Sequence, residues 1–325
     1  MPTSGKAGAR SGAAGGAEGA VFRAVESLPP GPWLLAVSGG RDSMVLMDAC
    51  DARRRGDIAA VATYDHGTGP AATRAAMHVE AEALRRSLPV VAGRSSRPVE
   101  AVGEAAWRSA RWAFLDGWAA DLRSRVVTAH TRDDQAETIF MRLLRGAGPR
   151  GMAAMRAPTP VLRPFLGLDR ATIALYAAAR RVKWVEDPSN QRLVHFRNRV
   201  RLELLPAFEE ARPGFTDWLV SLGERAAEVR DGIARAVDAL SGVADAGSGG
   251  KAVAVASTAL EGYGEAELEL LWPEIAARAR VALDRRGLKR LVAEAARLRV
   301  GAAIPLAGGA SVSRTVSTLV VRAGE

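Results

Sequence analysis

The amino-acid sequence is expected to fold as an α/β domain around a parallel sheet, followed by a helical arm and a small α+β domain. Three observations carry this expectation. Between Val21 and Leu144, strand-like apolar runs alternate with helix-length runs, the pattern of a parallel sheet with crossover helices. Beyond Gly146 the strand-like runs give way to helices with short connectors, notably 169–180, 196–205 and 216–241. A stretch rich in Gly, Ala and Ser, 242–250, then sets apart a last segment with a largely helical 265–300, short strands within 303–322 and a Gly308-Gly309 turn.

Taken in order, residues 1–19 are mostly Gly, Ala and Ser with a few charges, a composition expected to leave a disordered tail. Strands are expected at 33–37, 58–64, 89–92 and 125–129, with helices near 43–55, 71–87 and 101–121. These divide the chain into a sheet domain over 20–215, a helical arm and linker over 216–250, and a small domain over 251–325. In open parallel sheets ligands gather beyond the carboxyl ends of the strands. The segments 38–43, 65–67 and 130–134 all fall at such ends, so three stretches of chain point to one crevice.

The chain of 325 residues is long enough for two or three folding units. Its 45 Lys and Arg exceed its 36 Asp and Glu, giving a net charge of +9, and the isoelectric point is near 10.6. Such a balance favours a polyanionic partner such as nucleic acid, although a proteome rich in Arg and Ala would produce it too. The single cysteine, Cys50, excludes a disulfide framework and a Cys-based zinc cluster. No apolar run reaches the roughly 18 residues of a membrane span and no charged leader opens the chain, so no membrane partner is expected and the location is read as cytoplasmic.

The most informative segment is Ser38-Gly39-Gly40-Arg41-Asp42-Ser43, between an apolar strand and a helix start. Paired glycines permit close backbone approach, and successive N–H groups can converge on a phosphate where the helix dipole already favours an anion. A carboxylate there, Asp42, makes sense if Mg²⁺ bridges it to the phosphates. The same residues also read as an ordinary turn capped by Ser38 or Asp42. Neither 247–251 nor 146–151 competes: the first lacks Walker spacing, and the second, though it matches GxGxxG, follows a helical run rather than a strand.

A second constellation follows the fourth strand. Asp134 and Glu137 share a helical face and could hold an ammonium group or a metal, while Thr131-x-x-Asp134 also reads as a capping box. His130 stands at the same sheet edge. Glu104, Arg108 and Arg111 share one face of the preceding helix, where surface pairing and an arginine facing a phosphate are both open readings.

Together these segments resemble the ATP pyrophosphatase (PP-loop) superfamily, whose domain is of the adenine nucleotide α-hydrolase-like type, and within it the tRNA(Ile)-lysidine synthetase family. Residues 38–43 fit the superfamily's SGGxDS loop. Asp65-His66-Gly67, Glu104 to Arg111, His130 to Thr138, the 145–151 glycine segment and Arg163-Pro164-Phe165-Leu166 fit the narrower family in order. Residues 186–190 with 196–201 and Leu204-Leu205-Pro206 look like the end of its catalytic domain, and 305–321 is similar to its tRNA-binding module. Two positions depart: Thr131 replaces a usual second histidine, and Thr68-Gly69 replaces Leu-Arg.

The resemblance implies a ligase that uses ATP and Mg²⁺ to adenylate C2 of the wobble cytidine of tRNA(Ile) bearing a CAU anticodon, after which free L-lysine displaces AMP. It implies ATP binding by Ser38, Gly39, Gly40, Arg41, Asp42 and Ser43, with the metal on Asp42. Asp134 and Glu137 would bind lysine, Arg108 and His130 would attend the adenylate, and Arg145, Arg150, Arg197, Arg199 and Arg201 would meet tRNA. Whether one copy or a homodimer acts is left open. A tRNA thiolase normally needs paired cysteines and an amidotransferase an ammonia-producing domain; neither is in the sequence, and a non-catalytic tRNA-binding module is opposed by the intact loop and acid pair.

Overall fold

The computed structural model describes residues 5–95, 104–157, 159–188, 192–240, 244–245 and 252–324. The chain divides into two compact units, 1–224 and 225–325.

The first unit is built on β1 (Trp33–Ala36), β2 (Ile58–Asp65), β3 (Val90–Arg94) and β4 (Arg125–Thr128), all parallel, in the order β3-β2-β1-β4. All four expected strands are present. Because side chains alternate across a strand, β1 feeds two cores: Leu34 packs with Ala60, Ala62, Leu115 and Val126, while Trp33 and Leu35 join Val61 and Val127 on the other face. The first face is covered by α4 (Glu104–Asp121), the second by α1 (Gly5–Glu26), α2 (Arg41–Arg54), α3 (Pro70–Arg85) and α7 (Arg170–Arg180). Burial on both faces is why these strands read as continuous apolar runs. The chain runs outward from β1 to β3 and returns to place β4 on the other side of β1, so strand order reverses between β1 and β4, the position where such sheets bind ligands.

The expected disordered tail is corrected. Residues 5–26 form α1, with Ala17, Val21, Phe22 and Val25 buried against the sheet core. These positions make one helical stripe, and Ala-rich sequence costs little to hold in a helix once a stripe docks. Glu18 reaches Arg180 at 3.4 Å, and Phe22 meets Tyr176 edge-on at 5.6 Å.

After β4 the first unit continues through α5 (Arg132–Leu144), the short α6 (Pro149–Met152), α7, α8 (Phe196–Arg199), α9 (Leu205–Ala211) and the start of α10 (Phe215–Ala239). Val200–Leu204 is a π-helical turn joining α8 to α9. The widened turn lies just before Pro206, whose ring could not continue a regular helix.

In the second unit the short β5 (Ala244–Asp245), β6 (Ala252–Ala256), β7 (Ala303–Pro305), β8 (Ser311–Arg314) and β9 (Thr318–Arg322) form an antiparallel sheet in the order β5-β6-β9-β8-β7. With α11 (Glu265–Arg278) and α12 (Arg285–Glu294) it encloses Val255, Trp272, Ile275, Leu291, Val312 and Val321. The last turn of α10 and the residue that follows it put Val237 and Leu240 into this core. The division therefore falls at 224/225 inside a helix, where the sequence pattern had placed boundaries at 215 and 250. Most of the expected linker, 242–250, lies outside the described residues, as do Ser189 and Asn190.

Candidate active site

The turn from β1 into α2 is shaped by two features of its sequence. Gly39 has φ of +84°, and a Cβ there would lie 2.7 Å from the carbonyl oxygen of Ala75, so both conformation and space exclude a side chain. Ser43 closes the loop: its Oγ donates to the Gly40 carbonyl at 2.8 Å and accepts from the Ser38 N–H at 3.1 Å. No side chain caps the first turn of α2, which leaves its leading N–H groups to a ligand and decides against the capped-turn reading. Gly39→Ala is expected to cost about 1–3 kcal/mol in strain and to weaken nucleotide binding, measured by thermal melts and by ATP titration.

Beyond the strand ends lies a cavity of about 320 Å³, lined among others by Ser38, Asp42, His66, Arg111, His130 and Asp134. The Asp42 carboxyl is pushed above its ordinary range by burial, against the pull of Arg41, whose Nε is 3.1 Å away, and of Arg170. His130 Nδ1 sits 2.8 Å from Thr128 Oγ1. Burial, with Arg163, Arg111 and Arg197 nearby and only Asp134 opposing, pushes the His130 imidazole down to about 4. The unfolded chain therefore binds this proton first, and native stability is lost as pH falls from about 6.5 toward 4. Thermal melts across that window should show a smaller loss for His130→Gln than for the unaltered protein.

Behind the cavity wall the acids of α5 meet three arginines. Thr131 and Asp134 do form a capping box: Asp134 Oδ2 accepts from the Thr131 N–H at 2.8 Å and from its Oγ1 at 3.0 Å. Asp134 Oδ1 accepts from Arg170. Glu137, only 1% exposed, accepts at Oε1 from Arg170 and Arg201, both at 2.7 Å, and at Oε2 from Arg197 at 2.8 Å. Burial opposes charge on Glu137, but Arg201, Arg170 and Arg197 outweigh it and hold its carboxyl below the ordinary range. Asp134 is held low in the same sense, burial again being overcome, chiefly by Arg170 and the Thr131 N–H.

These contacts place several of the residues expected at the site. Glu137, expected at lysine, has guanidinium groups on both of its oxygens. Arg197 and Arg201, expected at tRNA, are spent on Glu137, whereas Arg199 and Arg145 are exposed and Arg150 is half-buried. Arg108 is exposed on α4; it is Arg111, one turn further on the same face, that lines the cavity. Asp65 is buried and accepts from the Gly67 N–H and the Thr73 hydroxyl, each at 2.8 Å, so it shapes the loop that carries His66.

Arg170 was missed by sequence reasoning. It touches Asp134 and Glu137, its Nε is 3.9 Å from Asp42, and its backbone N–H donates to Asp133 at 2.8 Å. One signal was available: Asp169 N-caps α7, which leaves Arg170 in a first turn where the helix dipole disfavours a cation.

A parallel sheet with a glycine turn feeding an uncapped helix, at the point where strand order reverses, defines a nucleotide-binding α/β domain. The family profile described as the PP-loop domain matches residues 19–208, more than half of the chain, and the chain belongs to that family of ATP-binding domains. Curated relatives named tRNA(Ile)-lysidine synthase align with it. The protein of Xanthomonas campestris pv. campestris is 40% identical over 207 residues, covering 60% of this chain and 47% of the relative. That of Thermobifida fusca is 43% identical, covering 62% and 64%, and that of Parasynechococcus marenigrum 34% identical, covering 62% and 63%. The chain thus spans from about half to under two thirds of the length of these relatives. Among solved structures, the U34-tRNA thiolase NcsA from Methanococcus maripaludis with its [4Fe-4S] cluster matches with a TM-score of 0.55 at 14% identity, over 67% of this chain and 80% of that one, a likeness of fold alone.

Proposed function

We propose that the chain ligates L-lysine to C2 of the wobble cytidine of tRNA(Ile) bearing a CAU anticodon. In the first step the cytosine O2 attacks the α-phosphorus of ATP, forming a C2–O–P linkage and releasing pyrophosphate. In the second, the lysine ε-amine attacks C2, the C2–O bond breaks, AMP leaves and the amine gives up a proton. The observation that carries this reading is the alignment of lysidine synthase relatives, 34–43% identical over 60–62% of the chain, beside a PP-loop profile whose residues 19–208 include the cavity lining and its phosphate turn.

Each group then has a task. The Ser38–Ser43 turn would bind the departing pyrophosphate through α2's free N–H groups. Mg²⁺ is usually held by one or two carboxylates plus phosphate oxygens, and Asp42 on the cavity wall fits that donor set; bound there, it would neutralise charge on the leaving group. Among the described residues no three His, Cys, Asp or Glu gather to hold a metal without such a partner. Asp134, unlike Glu137, lines the cavity, so it is the carboxylate of the pair that the lysine amine would meet. His130, neutral near pH 7, can donate or accept a hydrogen bond at the adenylate without adding charge.

Sulfur transfer finds no support. Cys50 is the only cysteine, it is buried, and burial pushes its thiol up to about 12. Incubation with ATP, lysine and unmodified tRNA(Ile), followed by mass spectrometry of the wobble nucleoside, tests the ligation; unchanged cytidine despite pyrophosphate release would overturn it. A tRNA substrate also fits a cytoplasmic location, and among the described residues no helix is long and apolar enough to cross a membrane.

The second unit is assigned to tRNA. On α12, Leu288, Leu291 and Val292 face the core and Arg285, Arg286 and Lys289 are exposed. Replacing these three cations with Gln should weaken tRNA binding and flatten its salt dependence by roughly 0.9 per lost phosphate contact, with ATP affinity unchanged.

A further inference from the structure

We propose that Val185 is a positioning residue for the phosphate turn: its backbone N–H holds the Gly39 carbonyl and thereby keeps the Gly40 N–H turned toward the phosphates. This rests on the proposed function only in taking those phosphates as the nucleotide's.

The turn needs a hold from outside itself. Gly39, at φ of +84°, and Gly40 both lack a Cβ, so the peptide between them rotates at little cost. In a trans peptide the carbonyl and the following N–H point to opposite sides. One setting presents the Gly40 N–H to an anion in the cavity that Gly40 lines; the flipped setting presents the Gly39 oxygen, which repels it. The bonds made within the turn do not choose between the two. Ser43 Oγ joins the Ser38 N–H and the Gly40 carbonyl, and neither group belongs to the Gly39–Gly40 peptide.

The hold comes from the stretch 182–187 that follows α7, outside any helix or strand. The Val185 N–H donates to the Gly39 carbonyl at 3.0 Å. The stretch is itself fixed close to that bond: the Val182 N–H donates to the Ala177 carbonyl at 2.9 Å, and His78 Nε2 lies 3.1 Å from the Lys183 carbonyl. His78 belongs to α3, and α3 also bears on Gly39 directly through Ala75, whose carbonyl oxygen is 2.7 Å from where a Cβ would stand. Gly39 is thus held by α3 and by a stretch that α3 helps to fix. Val185 and Asp187 line the cavity together with Ser38, Gly40 and Ser43, so the stretch that holds the turn is also part of the wall around its ligand. Without the Val185 N–H the Gly39 carbonyl loses its donor and the peptide is free to turn, so a phosphate meets an oxygen where an N–H stood.

Three variants test this. Val185→Pro removes the N–H; an ester at the 184–185 linkage, introduced with the hydroxy-acid analogue of valine, removes it and keeps the side chain; Val185→Ala trims the side chain and keeps the N–H. Calorimetric titrations with magnesium pyrophosphate, magnesium ATP and adenosine read the effect without RNA or lysine. In the proline and ester proteins the Kd for pyrophosphate and for ATP is expected to rise about tenfold, with that for adenosine within about twofold of the unaltered protein. Val185→Ala should lose at most about a third as much pyrophosphate affinity. Unchanged pyrophosphate affinity in the ester protein, which serves even where proline prevents folding, would overturn the proposal. So would an equal loss for adenosine, which makes the bond merely structural, or an equal loss in Val185→Ala, which moves the role to the side chain. The expected losses, found in a protein that forms no lysidine when unaltered, would reject the proposed function and leave this assignment standing.

Discussion

Asp42→Asn should lower pyrophosphate release by a factor of about 10² or more while leaving RNA affinity nearly unchanged. Asp42 is the carboxylate that shares the cavity wall with the phosphate turn, and Arg41 and Arg170 fix it from two sides. Burial makes its charge expensive, so the site holds an anion there only against a penalty that a bound cation would relieve. Asparagine keeps the size and one oxygen but loses the charge that a divalent ion needs, and the developing negative charge on pyrophosphate is then met by the helix N-terminus alone. The effect should fall on kcat rather than on ATP affinity, because the charge that matters grows toward the transition state. A coupled pyrophosphate assay at saturating ATP reads this directly, and near-normal turnover would remove Asp42 from metal binding.

The sheet was legible because each strand carries its own signal. Trp33, Leu34 and Leu35 are a short apolar run ended by a glycine pair, and a run buried on both faces needs no partner information to be recognised. The phosphate turn was legible for the same reason, since Ser38, Gly40 and Ser43 act on one another within six residues. The partners of the acids were not. Asp134 and Glu137 show by spacing that they share a face, but Arg170, Arg197 and Arg201 reach Glu137 across 33, 60 and 64 residues of chain. Local pattern could therefore state both readings of the segment, cap and site, without showing that Asp134 performs the cap and also faces the cavity. The amino-terminal helix failed for a related reason: composition up to residue 19 describes a poor core former, yet the stripe that docks begins at Ala17 and continues past that limit.

Glu137→Gln should act on stability before it acts on chemistry. Three guanidinium groups converge on this carboxylate, which is 1% exposed, and removing its charge leaves them to repel one another around a neutral amide. Breaking a buried ion network from one side costs about 3–5 kcal/mol. The arginines are 20–30% exposed, so solvent screens part of the repulsion and the loss should lie near the lower end, about 3 kcal/mol. For a unit of this size that is a fall of about 6–12 °C in Tm. The lysine KM of the variant, measured well below its melting point, should change by less than about threefold, because Glu137 faces arginines and not the cavity. The opposite pattern, an unchanged Tm with a lysine KM raised tenfold or more, would return Glu137 to the amine and show that its arginines part from it when substrate binds.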